Sequence, residues 1–291
     1  MADSITVHRA LVLVAIAGSI IVVGCDRRTA PQPADSTAAR PRAGGASPVA
    51  FHVPDDSAIP KGPEGMAVRR GRALLLATRD SLPQFVGAAL RCTSCHLDGG
   101  VRPNALPLVG VYARFPQYRA RSARVELIED RVNDCFLRSM NGRALDRDGR
   151  DMHDIVAYLA FISRGVPVGA QVRGTGTPRL ASMVGDSVRG RAMFASTCSR
   201  CHGADGGGTA LAPPVAGPGS FNIGAGMTRL NTMAPFIRAN MPYDHAVTLT
   251  DQQAFDIASF VGTRPRPDFP GKEHDWPNGD APADAPYHPG R

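Results

Sequence analysis

Cys92-Thr93-Ser94-Cys95-His96 is the stretch on which the fold turns, because it is written twice: it returns as Cys198-Ser199-Arg200-Cys201-His202. Two cysteines three residues apart, followed at once by a histidine, form the attachment signature of c-type haem. The spacing has a chemical reason. The two thiols add across the two vinyl groups of one haem, and the adjacent imidazole is then held beneath the iron as proximal ligand. A redox dithiol of the thioredoxin type would need a strand–helix context that this chain lacks. The duplication extends beyond the motif. Each copy runs on into Asp-Gly-Gly, at Asp98-Gly99-Gly100 and Asp205-Gly206-Gly207, and each follows a Gly-Arg-Ala, at Gly71-Arg72-Ala73 and Gly190-Arg191-Ala192.

Downstream of each motif, Met152 to Ser163 and Gln252 to Val261 carry helical patterns that end in aromatic residues. The expectation is a mainly α chain with two tandem cytochrome c-like domains, at 61–170 and 180–268, each covalently binding one haem c. Cys92 and Cys95 attach the first haem and Cys198 and Cys201 the second, with His96 and His202 as proximal iron ligands. A Gly-, Thr- and Pro-rich run at 171–179 makes the linker.

The sixth iron position must come from further along each domain. In the second, Met241 follows a helical pattern from Leu230 to Ala239, and a thioether is a soft ligand that raises haem potential. Met241 lies as far beyond His202 as Cys135 lies beyond His96, 39 residues in each case. Cys135 therefore occupies the distal-ligand place of the first domain. Met140, five residues later, is the competing candidate, and a buried structural thiol is the third reading. Four of the six cysteines are assigned to haem and one to lipid, so a sixth thiol left free in an oxidising compartment is a liability unless it is used. Arg131, Cys135 and Ser139 are spaced by four, which puts them on one helix face, with Arg138 three residues on. A guanidinium beside a thiol favours the thiolate, which is both the better metal ligand and the better nucleophile. Seven arginines fall between Arg114 and Arg143, at Arg114, Arg119, Arg121, Arg124, Arg131, Arg138 and Arg143, and two or more of them are expected to line an anion pocket.

The ends of the chain set its location. Ala10 to Gly24 is an apolar run of 15 residues behind His8 and Arg9, too short for a typical spanning helix and suited to export. It closes on Val22-Val23-Gly24-Cys25, which resembles a bacterial lipoprotein cleavage box. Residues 1–25 are thus expected to be a signal peptide with Cys25 lipidated, which anchors the body to the periplasmic face of a membrane. Residues 26–60, rich in Ala, Pro, Ser and Gly, are expected to be a disordered tether. The tail, 269–291, has a similar character, with Trp276 and Tyr287 placed to pack against a domain. Formal net charge is +7, but the basic residues form no runs and nothing matches a nucleic-acid module, so no nucleic-acid partner is expected. Nearly all of the basic residues are arginine, whose planar fork suits oxyanions.

The residues from Cys92 to Leu145 and from Pro235 to Val261 resemble the dihaem thiosulfate dehydrogenases, most specifically at Asp134-Cys135-Phe136-Leu137-Arg138-Ser139-Met140-Asn141-Gly142. The resemblance covers roughly residues 64 to 268. It implies the joining of two thiosulfates into tetrathionate with release of two electrons, a reaction some members run in reverse. It also implies Cys135 as axial ligand of the first haem and catalytic sulfur, Arg121 and Arg131 as substrate-binding residues, and His202 with Met241 at an electron-transferring second haem. The external acceptor would be another c-type cytochrome or a similar carrier. Some members carry a lysine before that methionine; here the position is Asn240. Two other readings are a dihaem electron carrier with no substrate of its own, and a sulfur-carrier subunit of a sulfur-oxidising complex.

Overall fold

The computed structural model describes residues 48–288. The export signal, Cys25 and most of the tether lie outside the described residues. The first half is built on α1 (Pro63–Leu76), α2 (Ile128–Asp134) and α3 (Arg150–Phe161), and the second on α4 (Ser187–Met193), α5 (Leu230–Asn240) and α6 (Asp251–Gly262). One short hairpin, β1 (Gln117–Arg119) with β2 (Arg124–Glu126), pairs antiparallel with Gln117 opposite Glu126.

The repeated Gly-Arg-Ala has a structural reason. In each half the first helix crosses the last at the glycine. A Cβ on Gly71 would lie 1.9 Å from the Asp154 carbonyl oxygen of α3, and one on Gly190 would lie 1.9 Å from the Asp256 carbonyl oxygen of α6. Only a residue without a Cβ allows the backbones that close. The residue before each glycine fastens the crossing. Arg70 donates to Asp154 at 2.6 Å and also to Asp151, and Arg189 grips Asp256 through two bonds of 2.8 and 3.0 Å. Asp154 and Asp256 are buried, so each needs that partner. Gly190→Ala is expected to destabilise the holoprotein by about 1–3 kcal/mol through overpacking, readable as a lower midpoint in denaturant. An unchanged midpoint would mean that the crossing tolerates a methyl group.

Around these crossings one continuous apolar core runs through both halves, from Val68, Leu75, Met152 and Leu159 to Phe194, Phe255 and Ile257. Thr250 caps α6 by accepting from the Gln253 N–H, while Gln253 returns the bond to the Thr250 N–H.

One connecting segment differs from its sequence reading. The part of the tether from 48 to 60 is not disordered. Val49 bridges Val172, with Val49 N–H donating to the Gln171 carbonyl at 2.8 Å and Arg173 N–H to the Val49 carbonyl at 2.9 Å. Ile59 packs against the core and Asp56 pairs with Arg72. A few apolar side chains and one backbone bridge suffice to order a stretch whose overall composition reads as linker. The interdomain linker is likewise laid on the first half, where the Gly174 and Gly176 carbonyls accept from Asn104 and Leu106 at 2.8 and 2.9 Å. The tail does pack: Trp276 N–H donates to the Arg121 carbonyl at 2.7 Å, and the Trp276 and Tyr287 rings lie 5.6 Å apart.

Candidate active site and haem sites

The first cysteine motif borders a cavity of about 220 Å³ whose walls are mainly apolar. Cys92, Cys95, His96, Arg114, Arg131 and Cys135 all line it. His96 Nδ1 lies 2.5 Å from the Leu106 carbonyl, which can only accept, so the Nδ1 proton is fixed and Nε2 is left free to bind metal. The Cys92 N–H donates to Thr78 Oγ1 at 3.0 Å, which pins the start of the motif to a fully buried hydroxyl.

Cys135 enters the cavity at a change of helix type. The segment α2 ends at Asp134, and Cys135–Ser139 continues as a π turn in which Met140 N–H donates to the Cys135 carbonyl at 2.8 Å. Such a turn re-aims side chains and recurs at functional sites. One helical turn before it, Arg131 donates from Nη1 to the Cys135 sulfur at 3.1 Å. Burial alone would push the Cys135 thiol up, but the Arg131 charge and the influence of the His96 imidazole outweigh it and bring it down to about 7. The effect is reciprocal, for the Cys135 charge raises the Arg131 pKa. Burial drives three motif thiols the opposite way, Cys92 and Cys95 to about 12 and Cys198 to about 11.

The other arginines divide. Arg114 lines the cavity. Arg114 and Arg119 have lowered pKa values, first by burial and then by repulsion among themselves and Arg131. Neither pairs with a carboxylate among the described residues, so their cations lie close together with capacity for an anion. Arg121 is not brought to Cys135. It donates to the Gly224 carbonyl and stacks over Trp276, 4.6 Å from the ring centroid. Arg138 is also turned away. It forms a two-pronged pair with buried Asp275 at 2.7 and 2.8 Å and lies over Phe269, so it is not the cation that acts on Cys135. Met140 borders the same cavity, but its carbonyl accepts from Gly87 and Ala88, and its side chain packs in the core.

In the second half, His202 Nδ1 lies 2.8 Å from the Pro213 carbonyl, the counterpart of the His96–Leu106 contact. These carbonyl partners escape a reading of the motif alone, although Pro107 and Pro213 mark both turns. Met241 follows α5, its N–H donating to the Ile237 carbonyl at 2.9 Å, and its side chain packs with Leu97, Ala105 and Phe236. Cys92, Cys95, Cys198 and Cys201 form no disulfide. Free thiol pairs beside imidazoles with Nε2 available fit a haem c in each half.

Two family models match the chain: "SoxA/TsdA, cytochrome c domain" over residues 86–168 and "Cytochrome c" over residues 187–265. Thiosulfate dehydrogenase from Allochromatium vinosum is 47% identical over 232 residues, which covers 76% of this chain and 86% of that protein. The chain belongs to the thiosulfate dehydrogenase family. The thiosulfate dehydrogenase of Psychrobacter arcticus is 42% identical, over 80% of this chain and 73% of its own length. Among solved structures, thiosulfate dehydrogenase TsdBA from Marichromatium purpuratum superposes with a TM-score of 0.73 at 35% identity, over 76% of this chain. The present chain spans half the length of that one. This thiosulfate dehydrogenase homologue is accordingly an oxidoreductase made of two tandem cytochrome c domains, mostly helical, with two covalently bound haem c groups.

Proposed function

We propose that the chain joins two thiosulfates into tetrathionate, and runs the reverse reaction when the electron supply favours it, with Cys135 as the reacting sulfur. The observation that carries this reading is the arrangement of Arg131, Cys135 and His96 around one cavity, with the thiol drawn down to about 7. His96 and Cys135 would hold the first iron, and His202 and Met241 the second. When bound, the two haems supply one-electron acceptors that together take both electrons of a turnover.

The chain's own residues do the rest. Two thiosulfate dianions repel: even a pair of unit charges 4 Å apart in water costs ~1 kcal/mol, and more in a partly dry pocket. Arg131 and Arg114, at the cavity wall, lower that cost. The Cys135 thiolate bonds to the terminal sulfur of the first thiosulfate, and two electrons leave, giving a cysteine S-thiosulfonate. The terminal sulfur of the second thiosulfate then attacks the same sulfane atom. The sulfur–sulfur bond to Cys135 breaks, tetrathionate departs, and the thiolate is restored. One collision of two dianions is thereby split into two easier steps.

Export through residues 1–25, lipidation at Cys25, a periplasmic membrane-bound location and a c-type cytochrome as acceptor belong to the same reading and rest on the sequence. The test is a steady-state assay of the holoprotein with thiosulfate and ferricyanide, then with tetrathionate and a reduced dye. Two ferricyanides consumed per tetrathionate formed are expected. No turnover in either direction would leave the electron-carrier reading.

A further inference from the structure

The segment from Asp98 to Leu106 reaches both haem sites. At one end its Leu106 carbonyl holds His96 Nδ1. Two residues earlier, the Asn104 carbonyl accepts from the Asn240 side-chain amide at 3.0 Å. The same amide gives its second hydrogen bond to the Phe236 carbonyl, also at 3.0 Å. Asn240 is 2% exposed and directly precedes Met241. Beyond Met241, Tyr243 is held by this segment too. Arg102 lies over its ring at 4.6 Å and donates to its hydroxyl at 3.0 Å, and is itself paired with Asp98 at 2.7 Å. The Met241 side chain packs against the cluster of Leu97, Ala105 and Phe236, of which Ala105 lies in this segment and Leu97 directly before it. The residues on both sides of Met241 are therefore fastened to the first domain.

The segment that holds them is a stiff support. Asp98, Gly99, Gly100, Asn104 and Leu106 all have left-handed φ, and a leucine at φ 51° is a conformation that its surroundings must enforce. The contacts differ in weight. The buried Asn240 amide leaves carbonyls unsatisfied if it is lost, whereas the exposed Arg102–Tyr243 pair competes with water.

We propose that Asn240, seconded by Arg102 and Tyr243, is a positioning latch that keeps Met241 on the second iron, so that ligation of the second haem depends on the first domain. The latch rests on Met241 being that ligand. Its consequence is a second-haem potential set partly from across the domain boundary, because a thioether ligand raises haem potential and a loosened one lowers it.

The experiment compares four holoproteins: wild type, Asn240→Leu, Arg102→Leu and Met241→Ala. Three readouts are taken: the long-wavelength absorption band of thioether-ligated ferric haem, carbon monoxide uptake by the reduced protein, and the midpoint potential of the second haem. Asn240→Leu is expected to lose most of the band, bind carbon monoxide and shift the potential downward, with haem content unchanged. Arg102→Leu, at a half-buried position outside the apolar core, is expected to show the same shifts to a smaller extent, with haem content unchanged. A band and potential in both variants equal to wild type would overturn the latch. A band that persists in Met241→Ala would instead remove Met241 as ligand, and the latch with it.

Discussion

Cys135→Met is expected to lower turnover of thiosulfate by roughly a thousandfold or more, while the purified protein still carries two haems. The thioether replaces the sulfur at the cavity without supplying a thiolate, so no S-thiosulfonate can form. The cavity walls around position 135 are mainly apolar, which suits a thioether. The loss should fall on the catalytic constant as well as on kcat/KM, since the missing bond is made in the reaction itself. On the proposed route out through the second domain, electron exchange between the protein and an external cytochrome should survive. Full activity in this variant would exclude the covalent route and leave Cys135 as a spectator.

Arg131→Met should cost about a hundredfold or more in kcat/KM, the scale of removing one preorganised charge from a site where negative charge gathers. It also changes the pH profile. In the wild-type chain Arg131 and His96 hold the Cys135 thiol at about 7 against the opposing effect of burial. A lowered pKa means that the reactive thiolate is present above that value and lost as pH falls through it. Without Arg131, burial prevails and the midpoint moves up, so the variant should recover activity as the medium is made alkaline. A profile with an unmoved midpoint would show that Arg131 acts on the substrate alone. Arg121→Met, by contrast, removes a side chain that stacks on Trp276 and serves the tail, so its effect should appear mainly in stability.

The sequence made the two haem domains legible because covalent chemistry demands a rigid spacing. Cys92, Cys95 and His96 cannot drift relative to one another, and the second copy repeats the constraint. The equal distance from each histidine to Cys135 and Met241 was readable for a similar reason, since each residue directly follows a helix of the repeat, α2 and α5. The Arg131–Cys135 pair was readable from a four-residue spacing on one helix. The π turn at Cys135–Ser139 was not, because the same residues satisfy an α pattern, and only the cavity wall decides where the extra residue goes. The directions of Arg121 and Arg138 were not legible either. Their partners Asp275 and Trp276 lie more than a hundred residues away, and nothing in the local pattern names them. The β1–β2 hairpin has three-residue strands, too short for alternation to register. The order of residues 48–60 depends on one bridge to Val172, a contact that composition does not record.

The direct test is electron paramagnetic resonance of the oxidised wild-type holoprotein, taken beside Cys135→Met. The wild type should show a low-spin ferric signal with the narrow spread of a thiolate-ligated haem, absent from the variant, while the signal of the second haem stays the same in both. A wild-type spectrum with only thioether or nitrogen ligation at the first iron, unchanged by the substitution, would contradict the assignment of Cys135 to the metal.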